Sequence, residues 1–221
     1  MSTLIENNST LESMFNLENP KVKLVFLGES GVGKTSIINR FIHNQFEDKR
    51  ESTLGAQFFS KIINYPLFNI SLQFDIWDTA GQEKYKSVTK FFYRDAKIIV
   101  LVYDITRESS FDEIKNFWLN QIKSCGEKDG VVCLCGAKND LIDKEKVKEE
   151  DARKFAKENQ IYFRLCSSLN NEGIDSLFEF LGKIYLRKNN LINYRNSFSL
   201  STKKTYIKKK NVVNIINNNF Y

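Results

Sequence analysis

Between the apolar run KVKLVFL and the segment KTSIINRFI, whose apolar residues have helical spacing, lies GESGVGKT at residues 28–35. Gly28, Gly33, Lys34 and Thr35 satisfy the spacing G-x-x-x-x-G-K-[ST]. In that pattern glycines let successive backbone N–H groups turn toward an anion, the lysine reaches terminal phosphates and the hydroxyl binds Mg²⁺. A lone match can be an ordinary turn. Set between a buried strand and a helix, it reads as a phosphate cradle formed by Glu29, Ser30, Gly31, Val32, Gly33, Lys34, Thr35 and Ser36.

Two further stretches bear on this chemistry. IWDTAGQE at 76–83 ends a strand-like run on Asp78, the position of a Walker-B carboxylate that holds Mg²⁺ directly or through water. Gly81 and Gln82 follow, and an amide there can orient an attacking water; by itself the stretch is a polar loop. GAKND at 136–140 follows the apolar VVCLC. The Asp140 carboxylate can accept two hydrogen bonds, from N1–H and the N2 amine of guanine, whereas adenine offers no such pair. A site forced to leave a buried carboxylate unpaired rejects the wrong base by about 10⁴-fold or more.

These motifs need elements to hold them, and the chain supplies an alternation. VKLVFLG precedes KTSIINRFI; FFSKIINYPLF and ISLQFDIW are close enough for a hairpin; IIVLVYDI suits burial on both faces. SSFDEIKNFWLNQIKS carries apolar residues at Phe111, Ile114, Phe117, Trp118 and Ile122 and opens with Ser110 three residues before Glu113, which reads as a capping box. VVCLCGA, VKEEDARKFAKEN, IYFRLC and IDSLFEFLGKIYL complete a βα pattern. It predicts one α/β domain, with a mostly parallel six-stranded sheet and helices on both faces. Ligands of such sheets bind at the carboxyl ends of strands, which is where GESGVGKT, DTAGQE, AKND and CSSLN fall.

Composition limits the function classes. From Arg187 onward there are eight Lys and Arg and no Asp or Glu, which leaves about −2 of the net +6 for residues 1–186. The basic pI belongs to the tail, and nucleic-acid binding by the folded part has no electrostatic support. No apolar run approaches the roughly 20 residues that span a bilayer, and the N-terminus reads neither as a secretory signal nor as a transit peptide. A cytoplasmic protein is expected, with Cys125, Cys133, Cys135 and Cys166 as buried thiols rather than disulfides or zinc ligands. The expected organisation is a flexible extension at 1–19, a domain at 20–187 and a basic Asn/Lys-rich tail at 188–221.

Over residues 20–187 the sequence resembles the small GTPases, and within them the Rab family. The pieces that carry this are ESTLGAQFF at 51–59, the continuous WDTAGQEKY, FFYRDA and LVYDIT. ESTLGA looks most like the early-endosomal Rabs. The resemblance implies the P-loop NTPase fold and a Mg²⁺-dependent GTP/GDP switch in vesicle traffic, with slow intrinsic hydrolysis, effectors, an exchange factor and a GAP that supplies an arginine. A monomer is expected. The resemblance also implies that Thr53 joins Mg²⁺ and the γ-phosphate, Gly81 senses that phosphate, Gln82 orients water, and Phe46 stacks on guanine unless it is a core aromatic. Lys138, Ser167, Ser168 and Leu169 fall at the family's base-binding positions. Phe58, Trp77 and Phe92 match the aromatic triad presented to effectors, or belong to the core.

The sequence departs from the family in three places. Ala137 stands where the base motif N-K-x-D has an Asn that reaches guanine N7 and braces neighbouring loops. That loss is worth about 1–3 kcal/mol, or about 5- to 150-fold in affinity. Ser167-Ser168-Leu169 replaces S-A-K; the Ser168 N–H can still meet guanine O6. No cysteine follows Cys166 and residue 2 is Ser, so neither C-terminal prenylation nor N-myristoylation is expected. Lysines 203, 204, 208, 209 and 210 either attract anionic lipid weakly, at about 1 kcal/mol each, or stay solvated. A non-cycling binding module with weakened guanine recognition is the alternative to a switch.

Overall fold

Strand β1 (Lys21–Leu27) is buried on both faces and lies inside the sheet. Val22, Leu24 and Phe26 point into one apolar cluster and Val25 and Leu27 into the other, as the period of two along a strand requires. The computed structural model describes residues 19–47, 53, 55–79, 92–124 and 130–192. The expected roles of Gly81 and Gln82, the environment of Cys125 and most of both tails lie outside those residues.

The sheet has six strands in the order β2-β3-β1-β4-β5-β6, with β2 (Ala56–Tyr65), β3 (Ile70–Thr79), β4 (Ile98–Asp104), β5 (Val131–Ala137) and β6 (Tyr162–Cys166). Only the β2–β3 hairpin is antiparallel; β1 pairs in parallel with β3 on one side and β4 on the other. The expected mostly parallel α/β sheet is therefore present. Strand order reverses at β1, so the crevice at its carboxyl end is the topological switch point.

One face of the sheet is covered by α1 (Lys34–His43) and α5 (Ile174–Lys188), through Ile37, Ile38, Phe41, Leu177, Phe178 and Leu181. Phe41 and Phe178 stack with ring centroids 3.6 Å apart. The other face is covered by α2 (Glu108–Glu113), α3 (Leu119–Ser124) and α4 (Glu149–Glu158). Beyond α5, Ile192 is buried against the first cluster.

The capping box expected at Ser110 is not formed. Helix α2 starts at Glu108 with Arg107 as its extended N-cap. The Ser110 hydroxyl is used otherwise: it donates to Arg107 O (2.7 Å) and accepts from Asp104 N (3.0 Å), closing the β4–α2 turn. Glu113 instead accepts from Trp118 Nε1 at 2.9 Å. A π-helical turn, Ile114–Trp118, joins α2 to α3. Ile114, Trp118, Leu119 and Ile122 all face inward across it, and Phe117 is left half-buried.

Cys133, Cys135 and Cys166 are buried free thiols, as expected. Burial pushes the Cys133 thiol up to about 12, so it stays protonated. Among the described residues no helix is long and apolar enough to cross a membrane.

Candidate nucleotide site

The phosphate loop fills the switch point. Gly28 has φ +143°, and a Cβ there would lie 2.2 Å from Val102 O of β4. Only glycine lets the loop leave β1 so close to that carbonyl. At the other end Gly33, with φ +110°, is the N-cap of α1, whose first turn carries no acidic side chain. The helix N-terminus thus offers N–H groups and a positive dipole end to an anion.

Lys34 is 5% exposed. Its Nζ donates to Gly28 O at 2.7 Å and Glu29 O at 2.9 Å, both neutral carbonyls. Burial pulls its pKa down to about 8, against the raising influence of Asp78, Glu113 and Glu29. A buried ammonium held by carbonyls alone is short of counter-charge, and a phosphate oxygen would provide it.

Beside it Thr35 Oγ1 donates to Asp78 Oδ2 at 2.6 Å and lies 2.8 Å from Thr53 Oγ1. Neighbouring oxygens of an octahedral Mg²⁺ shell at about 2.0–2.1 Å are roughly 2.9 Å apart. α1, the segment before β2 and the end of β3 therefore present three oxygens at a spacing that fits Mg²⁺. Ser36, one residue along α1, is half-buried.

The residues expected to read the base gather at the ends of β5 and β6. Lys138 adopts a left-handed conformation (φ 64°) and leads into a 3₁₀ segment, Asn139–Lys144, that carries Asp140. Ser167 Oγ donates to Asp140 Oδ1 at 2.5 Å and accepts from Asn170 N at 3.1 Å, so the two loops are tied side chain to side chain. Ser168 is buried and Leu169 is 51% exposed. Phe46 is half-buried and belongs to neither apolar cluster. Ala137 is buried, with its Cβ 3.6 Å from where a Cβ on Gly33 would stand; the missing amide leaves only a methyl against the phosphate loop.

Three residues here were given no role from the sequence, although Asp104 lies within LVYDIT. Arg40 of α1 donates from Nε to Ser168 O (2.8 Å) and from Nη2 to Leu169 O (3.2 Å). Asp104 accepts from Lys138 Nζ (2.5 Å), Thr106 N (2.9 Å) and Thr106 Oγ1 (2.7 Å). Arg107 donates from Nη2 to Ser30 O at 2.9 Å. The position of Asp104 at the carboxyl end of a buried strand was a usable signal; nothing in the sequence singles out the two arginines.

Phe58 and Trp77 are direct cross-strand partners, with centroids 5.3 Å apart, and Phe92 stands 5.9 Å from Trp77. Phe58 is 54% exposed, so the three rings form one cluster that opens to solvent at its β2 end.

Sheet order, glycine loop and the oxygens beside Lys34 define a P-loop nucleotide-binding α/β protein. The profile of the Ras family matches residues 23–187. The chain is 39% identical to Ras-related protein RABF2b of Arabidopsis thaliana over 156 residues, covering 71% of this chain and 76% of the relative. It is 37% identical to GTP-binding protein YPT52 of Saccharomyces cerevisiae over 203 residues, 79% and 86%. With Ras-related protein Rab-5B of Plasmodium falciparum it shares 39% over 183 residues, 82% and 86%. The chain belongs to the Ras family and is a Rab-like small GTPase.

Proposed function

We propose that the protein is a Mg²⁺-dependent guanine-nucleotide switch acting in vesicle traffic, and that the residues gathered at the strand ends carry it. The observation that supports this most is the meeting of Thr35, Thr53 and Asp78 beside a buried lysine. Thr53 belongs to the stretch preceding β2, so its hydroxyl brings that stretch to the metal corner. Bound Mg²⁺ would neutralise charge on the β- and γ-phosphate oxygens.

The protein's own part is positioning and electrostatics. Lys34 gives up its carbonyl partners for the terminal phosphates, Glu29 to Ser36 wrap them with backbone N–H groups, and Gln82 places the water for in-line attack. At the other end Asp140 reads N1–H and N2 of guanine, Ser168 N–H meets O6, Phe46 stacks on the ring, and Lys138, Ser167 and Leu169 line the base. Gly81 senses the γ-phosphate. Phe58, Trp77 and Phe92 present the state to effectors; an exchange factor and a GAP complete the cycle. The setting is the cytoplasm and the cytoplasmic face of endomembranes, with the basic tail as a weak lipid contact.

The direct test is to denature the purified protein, identify any released nucleotide by chromatography and titrate GDP, GTP and ATP with Mg²⁺. Bound GDP and strong preference over ATP are expected. An empty site with weak, unselective binding would overturn the switch and favour the binding module, the reading that Ala137 and Leu169 support. Gln82→Leu should slow single-turnover hydrolysis roughly tenfold or more with binding intact; an unchanged rate removes Gln82 from the mechanism. Segments 46–60 and 82–95 should be cut faster by protease with GDP than with a non-hydrolysable GTP analogue.

A further inference from the structure

Charged side chains bridge the phosphate loop and the base loop. Arg107, the residue before α2, lies 3.6 Å from Glu29 Oε2 in addition to its bond to Ser30 O. Its Nε is 3.9 Å from Asp104 Oδ2, the same oxygen that takes Lys138 Nζ at 2.5 Å. Lys138 directly follows Ala137. A path of ion pairs from Glu29 through Arg107 and Asp104 to Lys138 therefore joins GESGVGKT to GAKND. It spans the gap where the family pattern has a side-chain amide and this chain has a methyl.

We propose that Arg107 is a positioning residue for nucleotide retention, its guanidinium holding the phosphate loop to the base loop in place of the amide absent at position 137. This rests on the nucleotide-site reading above. The chemistry suits the task. A guanidinium is a planar fork with donors in fixed directions, whereas an ammonium is a point charge on a flexible stem. Here the fork donates one hydrogen bond, to Ser30 O, while its charge stands within ion-pair distance of Glu29 and Asp104. Asp104 is a fixed pivot: its side chain is 2% exposed, and Thr106 holds its other oxygen through both N–H and hydroxyl. Burial alone would raise the Asp104 pKa, but the donors from Lys138 and Thr106 outweigh it and hold the carboxyl below its usual range. The pivot is therefore anionic at neutral pH. Arg107 is also engaged on Ser30 O, Glu29 and Asp104 together, which makes it a brace on the loop rather than a group aimed at the transferred phosphoryl.

The test is the release rate of a fluorescent GDP, chased with excess GDP in Mg²⁺, from the full chain and its Arg107→Ala, Arg107→Gln, Ala137→Asn and double variants. Arg107→Ala should speed release about tenfold, the scale of one partly exposed charge-assisted hydrogen bond. Arg107→Gln, which keeps a donor for Ser30 O without the charge, should fall between. In the Ala137→Asn background Arg107→Ala should cost less than about threefold, because the amide now bridges the same loops. An equal factor in both backgrounds, or no effect of either Arg107 variant, overturns the proposal. So does slower single-turnover hydrolysis with release unchanged, which would put the guanidinium on the reacting phosphate. The unsubstituted protein keeps the two failures apart: lack of guanine-nucleotide retention there overturns the site and the brace together, whereas retention insensitive to Arg107 overturns the brace alone. Should Arg107→Ala fail to fold, Arg107→Gln measured in both backgrounds gives the same ratio.

Discussion

Asp140→Asn should lower the affinity for GDP by about 10²- to 10⁴-fold and turn the base preference toward xanthine. Two hydrogen bonds from guanine to a carboxylate, each worth about 1.5–3 kcal/mol, set that range. The direction follows from Ser167, whose hydroxyl donates to Asp140 Oδ1 at 2.5 Å. An Asn at this position would keep its carbonyl oxygen on that donor and turn its NH₂ toward the base. Guanine meets it with N1–H and an amine, donor against donor, while xanthine has a carbonyl at C2 and accepts. Competitive titration of GDP against XDP measures both effects. An unchanged preference for GDP would mean that Asp140 does not read the base.

The second large effect has two signs. Lys34→Met should reduce GDP affinity by about 10²- to 10⁴-fold, from the loss of charge-assisted hydrogen bonds to phosphate. It should also stabilise the nucleotide-free protein at neutral pH. Burial brings the Lys34 pKa to about 8 from 10.5, so keeping the ammonium charged costs the folded state about 3 kcal/mol below pH 8. Between pH 8 and 10.5 the unfolded chain binds more protons at this lysine than the folded one, so stability rises with pH there and the cost disappears above that window. In urea unfolding of the nucleotide-free proteins, the stability of the parent relative to the variant should therefore rise by about 3 kcal/mol from pH 7 to pH 10.5. A difference that does not change over that pH range would show that the buried ammonium has found a counter-charge.

The parts of this site legible in the sequence are those that depend on backbone and spacing. GESGVGKT specifies a strand, a turn with left-handed glycines and a helix start, and Gly28, Gly33 and Lys34 take those places. The alternation of apolar runs fixed the parallel sheet, since only strands covered on both faces read like IIVLVYDI. Pairings between distant residues were not legible. Arg107 and Ser30 are 77 positions apart and Arg40 and Ser168 are 128 apart, and no local pattern announces a side chain that will reach a carbonyl across the crevice. The helix start at Glu108 was missed for a related reason. Ser110 has the composition of a cap, but the turn from β4 claims its hydroxyl, and local preference yields to the tertiary bond.

Helix α1 carries Lys34 at its first turn and Arg40, which holds the Ser168 and Leu169 carbonyls, near its last. At 1.5 Å of rise per residue these two anchors are about 9 Å apart along a rigid rod. On the proposed reading the distance between phosphate grip and base grip is therefore set by a helix rather than by loops, and the helix acts as a caliper for the ligand. On that reading guanosine diphosphate would fill both jaws, whereas guanosine monophosphate would reach the base jaw and leave Lys34 on its own carbonyls, so that length as well as base would be gauged.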